Sequence, residues 1–165
     1  MRGEAQLRIL VLSDSHSKKS ILETIIERHP DIDTVLFLGD GAKEFCSLKE
    51  FYPNKKMVAV RGNNDSSFLD LPDFEIVYIK NIKIFLTHGH LYHISFGRER
   101  VMEAAAKADC KIVLCGHTHI PKIHYEDGVY FVNPGSVSRS RSGPNSYAVI
   151  DILPNGQIFP VVMNV

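Results

Sequence analysis

The stretch Leu7 to His16, LRILVLSDSH, decides how the rest of the chain is read. Leu7 to Leu12 is a short apolar run, broken only by Arg8 and containing the β-branched Ile9 and Val11, which is the pattern of a buried strand. It stops abruptly at the polar cluster Ser13-Asp14-Ser15-His16. The same arrangement recurs four times. Thr34 to Leu38 ends in Gly39-Asp40, and Met57 to Val60 ends in Arg61-Gly62-Asn63-Asn64-Asp65. Ile82 to Leu86 runs into Thr87-His88-Gly89-His90, and Ile112 to Cys115 into Gly116-His117-Thr118-His119. Ligands collect at the carboxyl ends of strands in open α/β sheets, so polar clusters at five such ends are expected to form one site.

The segments between these strands alternate with them. Ser20-Ile-Leu-Glu23 has the spacing of a capping box, Ile21, Leu22, Ile25 and Ile26 share a helical face, and Pro30 marks a stop. A weaker helical segment covers Ala42 to Phe51, and an Ala- and Glu-rich helix covers about Arg98 to Lys107. Ile76 to Ile79 and Ile82 to Leu86 are expected to pair as a hairpin through Lys80-Asn81. Farther on, short strands alternate with turns at Glu126-Asp-Gly128 and Pro154-Asn-Gly156. Ser136 to Gly143, with Arg139 and Arg141 among serines, reads as a surface loop.

The 165 residues fit one domain, 1–165, with no linker, internal repeat or second core. Hydrophobic residues make up 44% and charged residues 23%, as in ordinary globular proteins. Nineteen basic residues balance nineteen acidic ones, which excludes a general attraction to nucleic acid or an anionic membrane. The opening residues Met1 to Gln6 and the short apolar run interrupted by Arg8 form neither a signal peptide nor a membrane span, so the cytoplasm is the expected location. Cys46, Cys110 and Cys115 make no C-x-x-C pair, as expected of small thiols in a reducing compartment.

The strand-end clusters offer oxygen and nitrogen donors only. That set suits Mn²⁺, Ni²⁺, Fe, Co²⁺, Zn²⁺ or Mg²⁺, and a binuclear centre is the natural arrangement. The motifs are D-x-H at Asp14 and His16, G-D at Gly39 and Asp40, G-N-x-D at Gly62 to Asp65, and G-H-T-H at Gly116 to His119. Any one of them also fits a turn or a helix cap. Together and in this order, the chain resembles the calcineurin-like metallophosphoesterases, in particular their short YfcE-like phosphodiesterase branch.

The resemblance implies a four-layer α/β/β/α sandwich of two mixed sheets. It also implies two divalent metal ions per chain, manganese first. Asp14, His16, Asp40 and His119 would hold one ion, and Asp40, Asn63, His88 and His117 the other, with Asp40 as the bridge. A carboxylate has two oxygens and can hold two dications about 3.5 to 4 Å apart, the separation used for in-line displacement. The ions would share a water acidified to hydroxide, which attacks phosphorus, and Asp40, Asn63 and His88 would serve catalysis through it. The implied activity is hydrolysis of small-molecule phosphodiesters, with phosphomonoesters second, and a homo-oligomer is compatible with it. A rival from another class is a non-catalytic metal-binding scaffold, since the branch also resembles a retromer subunit. A complete donor set at all seven positions favours the enzyme.

Asn64 stands where the wider superfamily has a histidine near the leaving group. Asparagine donates a hydrogen bond but no proton at neutral pH, so help of roughly 10²- to 10⁴-fold for poor leaving groups is absent. Asn64 and His90 are the expected substrate-facing residues, although loop histidines such as His90 and His93 are commonly solvated. Asp65 would orient its neighbours, and Asn133-Pro-Gly-Ser136 matches a further family motif that implies a turn close to the metals.

Overall fold

The computed structural model describes residues 6–67 and 70–165; Met1 to Ala5, part of the segment read above for a signal peptide, lie outside the described residues. In chain order the elements are β1 (Leu7–Leu12), α1 (Lys19–Arg28), β2 (Thr34–Phe37), α2 (Ala42–Leu48), β3 (Lys56–Ala59), β4 (Phe74–Ile79) and β5 (Ile82–Thr87). They continue as α3 (Glu99–Lys107), β6 (Ile112–Cys115), β7 (Lys122–Glu126), β8 (Val129–Asn133), β9 (Ser146–Ile152) and β10 (Ile158–Asn164). Two short 3-10 turns, His90–Tyr92 and Ile94–Phe96, lead from β5 to α3.

The strands form two five-stranded sheets, ordered β10-β9-β1-β2-β3 and β4-β5-β6-β8-β7. In the first, β1, β2 and β3 are parallel, β9 pairs antiparallel with β1, and β10 pairs antiparallel with β9. In the second, β5, β6 and β8 are parallel and the edge strands β4 and β7 are antiparallel. Both sheets are therefore mixed.

Alternation along each strand sorts the core into three apolar layers. On β1, Leu10 and Leu12 pack with Leu22, Ile25 and Phe45 of the helices α1 and α2. Ile9 and Val11 point the other way and meet Ile84, Leu86, Ile112 and Leu114 of the second sheet. Beyond that sheet, Phe85, Val113 and Phe131 pack on Val101 and Ala105 of α3. The result is the four-layer α/β/β/α sandwich, and it explains why the central strands read as continuous apolar runs: they are covered on both faces.

Three local expectations are corrected. Ser20 does not cap α1, because the helix begins at Lys19 and no side chain caps its start. The α2 helix stops at Leu48 and not at Phe51; tighter turns follow, with Lys49 N–H donating to Cys46 O and Phe51 N–H to Leu48 O. The segment beginning at Ser136 is not wholly a surface loop either, since Ser136 and Ser138 are buried against Asp14.

Candidate metal centre

The parallel strands bring their carboxyl ends to one rim, and the two sheets contribute to it jointly. Asp14 and His16 follow β1, Asp40 follows β2, and Asn63 follows β3; from the facing sheet come His88 after β5, and His117 and His119 after β6. Five of these seven carry a backbone conformation that side chains other than glycine seldom adopt. The φ angles are 57° at Asp14, 44° at His16, 58° at Asp40, 69° at His117 and 60° at His119. Left-handed residues of this kind concentrate at functional sites, where the surrounding structure holds them in place. Here Asp14 N–H donates to Gly39 O at 3.0 Å and His16 N–H to Asp40 O at 2.9 Å, tying the first two strand ends together.

Asp14, His16, Asp40 and His119 bring one donor atom each to within 4.8 Å of one another. His119 Nδ1 donates to the Arg139 carbonyl at 2.7 Å, which leaves Nε2 of the neutral ring with its lone pair facing inward. That nitrogen lies 3.2 Å from His16 Nε2 and 3.1 Å from Asp14 Oδ1. The other Asp14 oxygen, Oδ2, accepts from Ser13 Oγ at 2.6 Å and His117 N–H at 3.2 Å. Oδ1 is fully buried and makes no hydrogen bond among the described residues. A buried acceptor facing two imidazole nitrogens fits a cation.

The second group has the same logic. His88 Nδ1 donates to Leu38 O at 2.7 Å, so its Nε2 presents a lone pair 3.0 Å from Asn63 Oδ1 and 3.6 Å from Asp40 Oδ2. His117 Nδ1 also lies 3.0 Å from Asn63 Oδ1 and 3.3 Å from His88 Nε2. Asp40 thus borders both groups. Burial holds His16 and His117 below the usual imidazole range, which keeps them neutral as ligands must be. The Asp14 carboxylate holds His119 above that range against the effect of burial, so this corner favours positive charge.

The rest of the motifs position these side chains. Asp65 accepts four backbone N–H groups, from Asp40 and Gly62 at Oδ2 (2.7 and 2.8 Å) and from Gly41 and Ala42 at Oδ1 (2.9 and 3.0 Å). The approach it secures is so close that a Cβ on Gly39 would sit 2.5 Å from Gly62 N. Asn133 Nδ2 donates to Gly116 O and to Thr118 Oγ1, holding the loop that carries His117 and His119. Ser136 Oγ and Ser138 Oγ both donate to Asp14 O.

Asn64 turns inward. Its backbone N–H donates to Asp40 Oδ1 at 2.8 Å and its Nδ2 to Asp40 Oδ2 at 2.5 Å. Sequence reading gave it a place toward the substrate and missed this grip on Asp40. His90 is half-buried, with its ring 5.4 Å from that of His88 and 6.2 Å from that of His117. His93 is exposed in a left-handed turn and makes no ring contact with the seven. The rim opens into a cleft of about 310 Å³ bordered by His16, Asn63, His117 and His119, with Arg139 and Arg141 on one wall.

A four-layer sandwich with histidine, aspartate and asparagine gathered where its parallel strands end defines the metallophosphoesterase class of α/β proteins. The chain belongs to the calcineurin-like phosphoesterase superfamily, whose domain profile matches residues 7–154. The phosphodiesterase YfcE of Escherichia coli is 38% identical over 170 residues, covering 88% of each chain. A crystal structure of a predicted phosphoesterase from Streptococcus pneumoniae is 27% identical, covers 98% of this chain and 99% of its own, and superposes with a TM-score of 0.81. The Vps29 protein of Entamoeba histolytica, in a crystal structure described as a complex with Zn²⁺, is 25% identical over 95% of this chain and 98% of its own, with a TM-score of 0.71.

Proposed function

We propose that the chain is a phosphodiesterase using two divalent ions, manganese foremost, to hydrolyse small-molecule phosphodiesters. Asp14, His16, Asp40 and His119 would hold one ion and Asp40, Asn63, His88 and His117 the other. The observation that carries this reading is the place of Asp40, which shares one group of donors with Asp14 and approaches His88 Nε2 of the other at 3.6 Å. When bound, such ions supply Lewis acidity to the phosphoryl oxygens and acidify water.

The chain's own residues prepare that chemistry. Leu38 O and Arg139 O orient the rings of His88 and His119, and Asp65 holds the backbone turn from which Asp40 projects. Asn64 steadies Asp40 but offers no transferable proton, so the leaving oxygen departs without acid assistance from this position. The wider reading is of one domain over 1–165 working in the cytoplasm on a soluble phosphate ester.

A scaffold role is the second reading, favoured by the likeness to Vps29. Because that protein is itself described with Zn²⁺, metal binding alone does not separate the two readings. Turnover does. Chelated protein reloaded with Mn²⁺ or Ni²⁺ should hydrolyse members of a panel of phosphodiesters. Two bound ions with no turnover of any diester would overturn the enzymatic reading.

A further inference from the structure

We propose that Arg139, Arg141 and Lys43 form a second anion subsite beside the metal centre, so that the substrate carries a phosphate or carboxylate in addition to the ester that is cleaved. This rests on the two-ion phosphodiesterase reading and extends it to the class of substrate.

The first observation is position. Arg139 and Arg141 border the cleft over His16, His117 and His119. Arg139 also borders the adjoining cleft of about 330 Å³, which is lined as well by Lys43 at the start of α2. The two clefts share His16, Asp40, Asn64 and Arg139, so the three cations flank a continuous trough.

The second is that the arginine loop is fastened to the metal centre itself. Arg139 O accepts from His119 Nδ1 at 2.7 Å, Arg141 N–H donates to His119 O at 3.1 Å, and Arg139 N–H donates to the buried Ser136 Oγ at 2.8 Å. The side chains of Arg139 and Arg141 are exposed, as loop arginines ordinarily are, but they start from a backbone pinned on both sides of His119.

The third is the absence of protein partners. Arg8, Arg61 and Arg98 each reach a carboxylate, at 2.6, 2.7 and 3.5 Å. The side chains of Arg139, Arg141 and Lys43 make no hydrogen bond or ion pair among the described residues.

Charge then selects the ligand. Asp14, Asp40 and the hydroxide that the two-ion reading places between the ions offset three of the four positive charges of two dications, and the single negative charge of a simple diester balances the fourth. Three further cations, faced in the adjoining cleft by the half-exposed Glu44 and by Asp65, whose carboxylate is taken up by four backbone N–H groups, suit an anion with more charge than that. Arginine forks match both phosphate and carboxylate bidentately.

The test compares Mn²⁺-loaded wild type with Arg139→Gln, Arg141→Gln, the double variant and Glu44→Gln, with metal content measured for each. Substrates are bis(nitrophenyl) phosphate and nitrophenyl diesters whose second alcohol carries a carboxylate or a phosphate. The double variant should lose about tenfold more kcat/KM on the doubly charged diesters than on the singly charged one, chiefly through KM. Glu44→Gln should lower KM for the doubly charged diesters, a gain that misfolding does not produce. Calorimetry with phosphonoacetate against methylphosphonate gives a readout free of turnover: wild type should prefer the former, and the double variant should lose the preference. If wild type hydrolyses no diester yet shows that preference and the double variant loses it, the enzymatic reading fails and the subsite stands. Equal losses on all diesters would assign the arginines to the reacting phosphoryl group, and no loss on any, with no binding preference, would leave them as solvated loop residues; either result overturns the proposal.

Discussion

Asp40 and Asn63 occupy neighbouring places on the rim but differ in charge, and that difference predicts unequal damage. Asp40 borders both donor groups and brings a negative charge, while Asn63 meets only His88 and His117 and brings a neutral oxygen. Asp40→Ala should therefore abolish binding of both ions, whereas Asn63→Ala should weaken one, as elemental analysis of the two variants will report. Asn64 carries a second prediction. Asn64→His should speed diesters with alkoxide leaving groups and change nitrophenyl diesters little, so that a plot of rate against leaving-group pKa becomes shallower. The substitution also removes the Nδ2 bond to Asp40, leaving the backbone N–H to hold that carboxylate, so metal content belongs in the same experiment. That the seven side chains gather at one rim was legible in the sequence because each lies in a short motif at a strand end. The inward turn of Asn64 was not, since spacing along a chain does not say which way an amide points.

At the scale of elements, the G-N-x-D turn after β3 controls the Asp40 turn after β2 through a single carboxylate. Asp65→Ala would leave four buried backbone N–H groups without their acceptor. The expected loss is about 2 to 4 kcal/mol of stability, readable by urea denaturation, together with weakened metal binding. Asp65→Asn keeps the shape and one acceptor oxygen and should fall between the two. The strands were legible for a related reason. The apolar runs of β1, broken only by Arg8, and of β6, unbroken, have limits that agree with the structure, Leu7–Leu12 and Ile112–Cys115. Helix ends were less so. Ser20 and Glu23 have capping-box spacing, but Lys18 stands at the N-cap position, two residues earlier, and Ser20 lies inside the first turn of α1.

For the whole molecule, each donor group draws on both sheets. Asp14, His16 and Asp40 of the first sheet meet His119 of the second, and Asp40 and Asn63 of the first meet His88 and His117 of the second. Ions bound to the folded rim and not to the unfolded chain stabilise the fold by mass action. Prolonged chelation should accordingly abolish hydrolysis and lower the thermal midpoint, and re-addition of Mn²⁺ should restore both. A midpoint indifferent to two bound ions would mean that the ligands do not span the sheets. The arrangement makes the rim a gauge of the spacing between two slabs. Between those slabs lies an apolar filling of Ile9, Val11, Leu86, Ile112 and Leu114, none of which borders the cleft. Shaving methyl groups from that filling lets the slabs settle by fractions of an ångström, and an ion coordinated from both sides would register the change as altered affinity. Tolerance to substitution in this protein should then be read from metal retention as well as from melting, because the middle of the sandwich sets the bite of its edge.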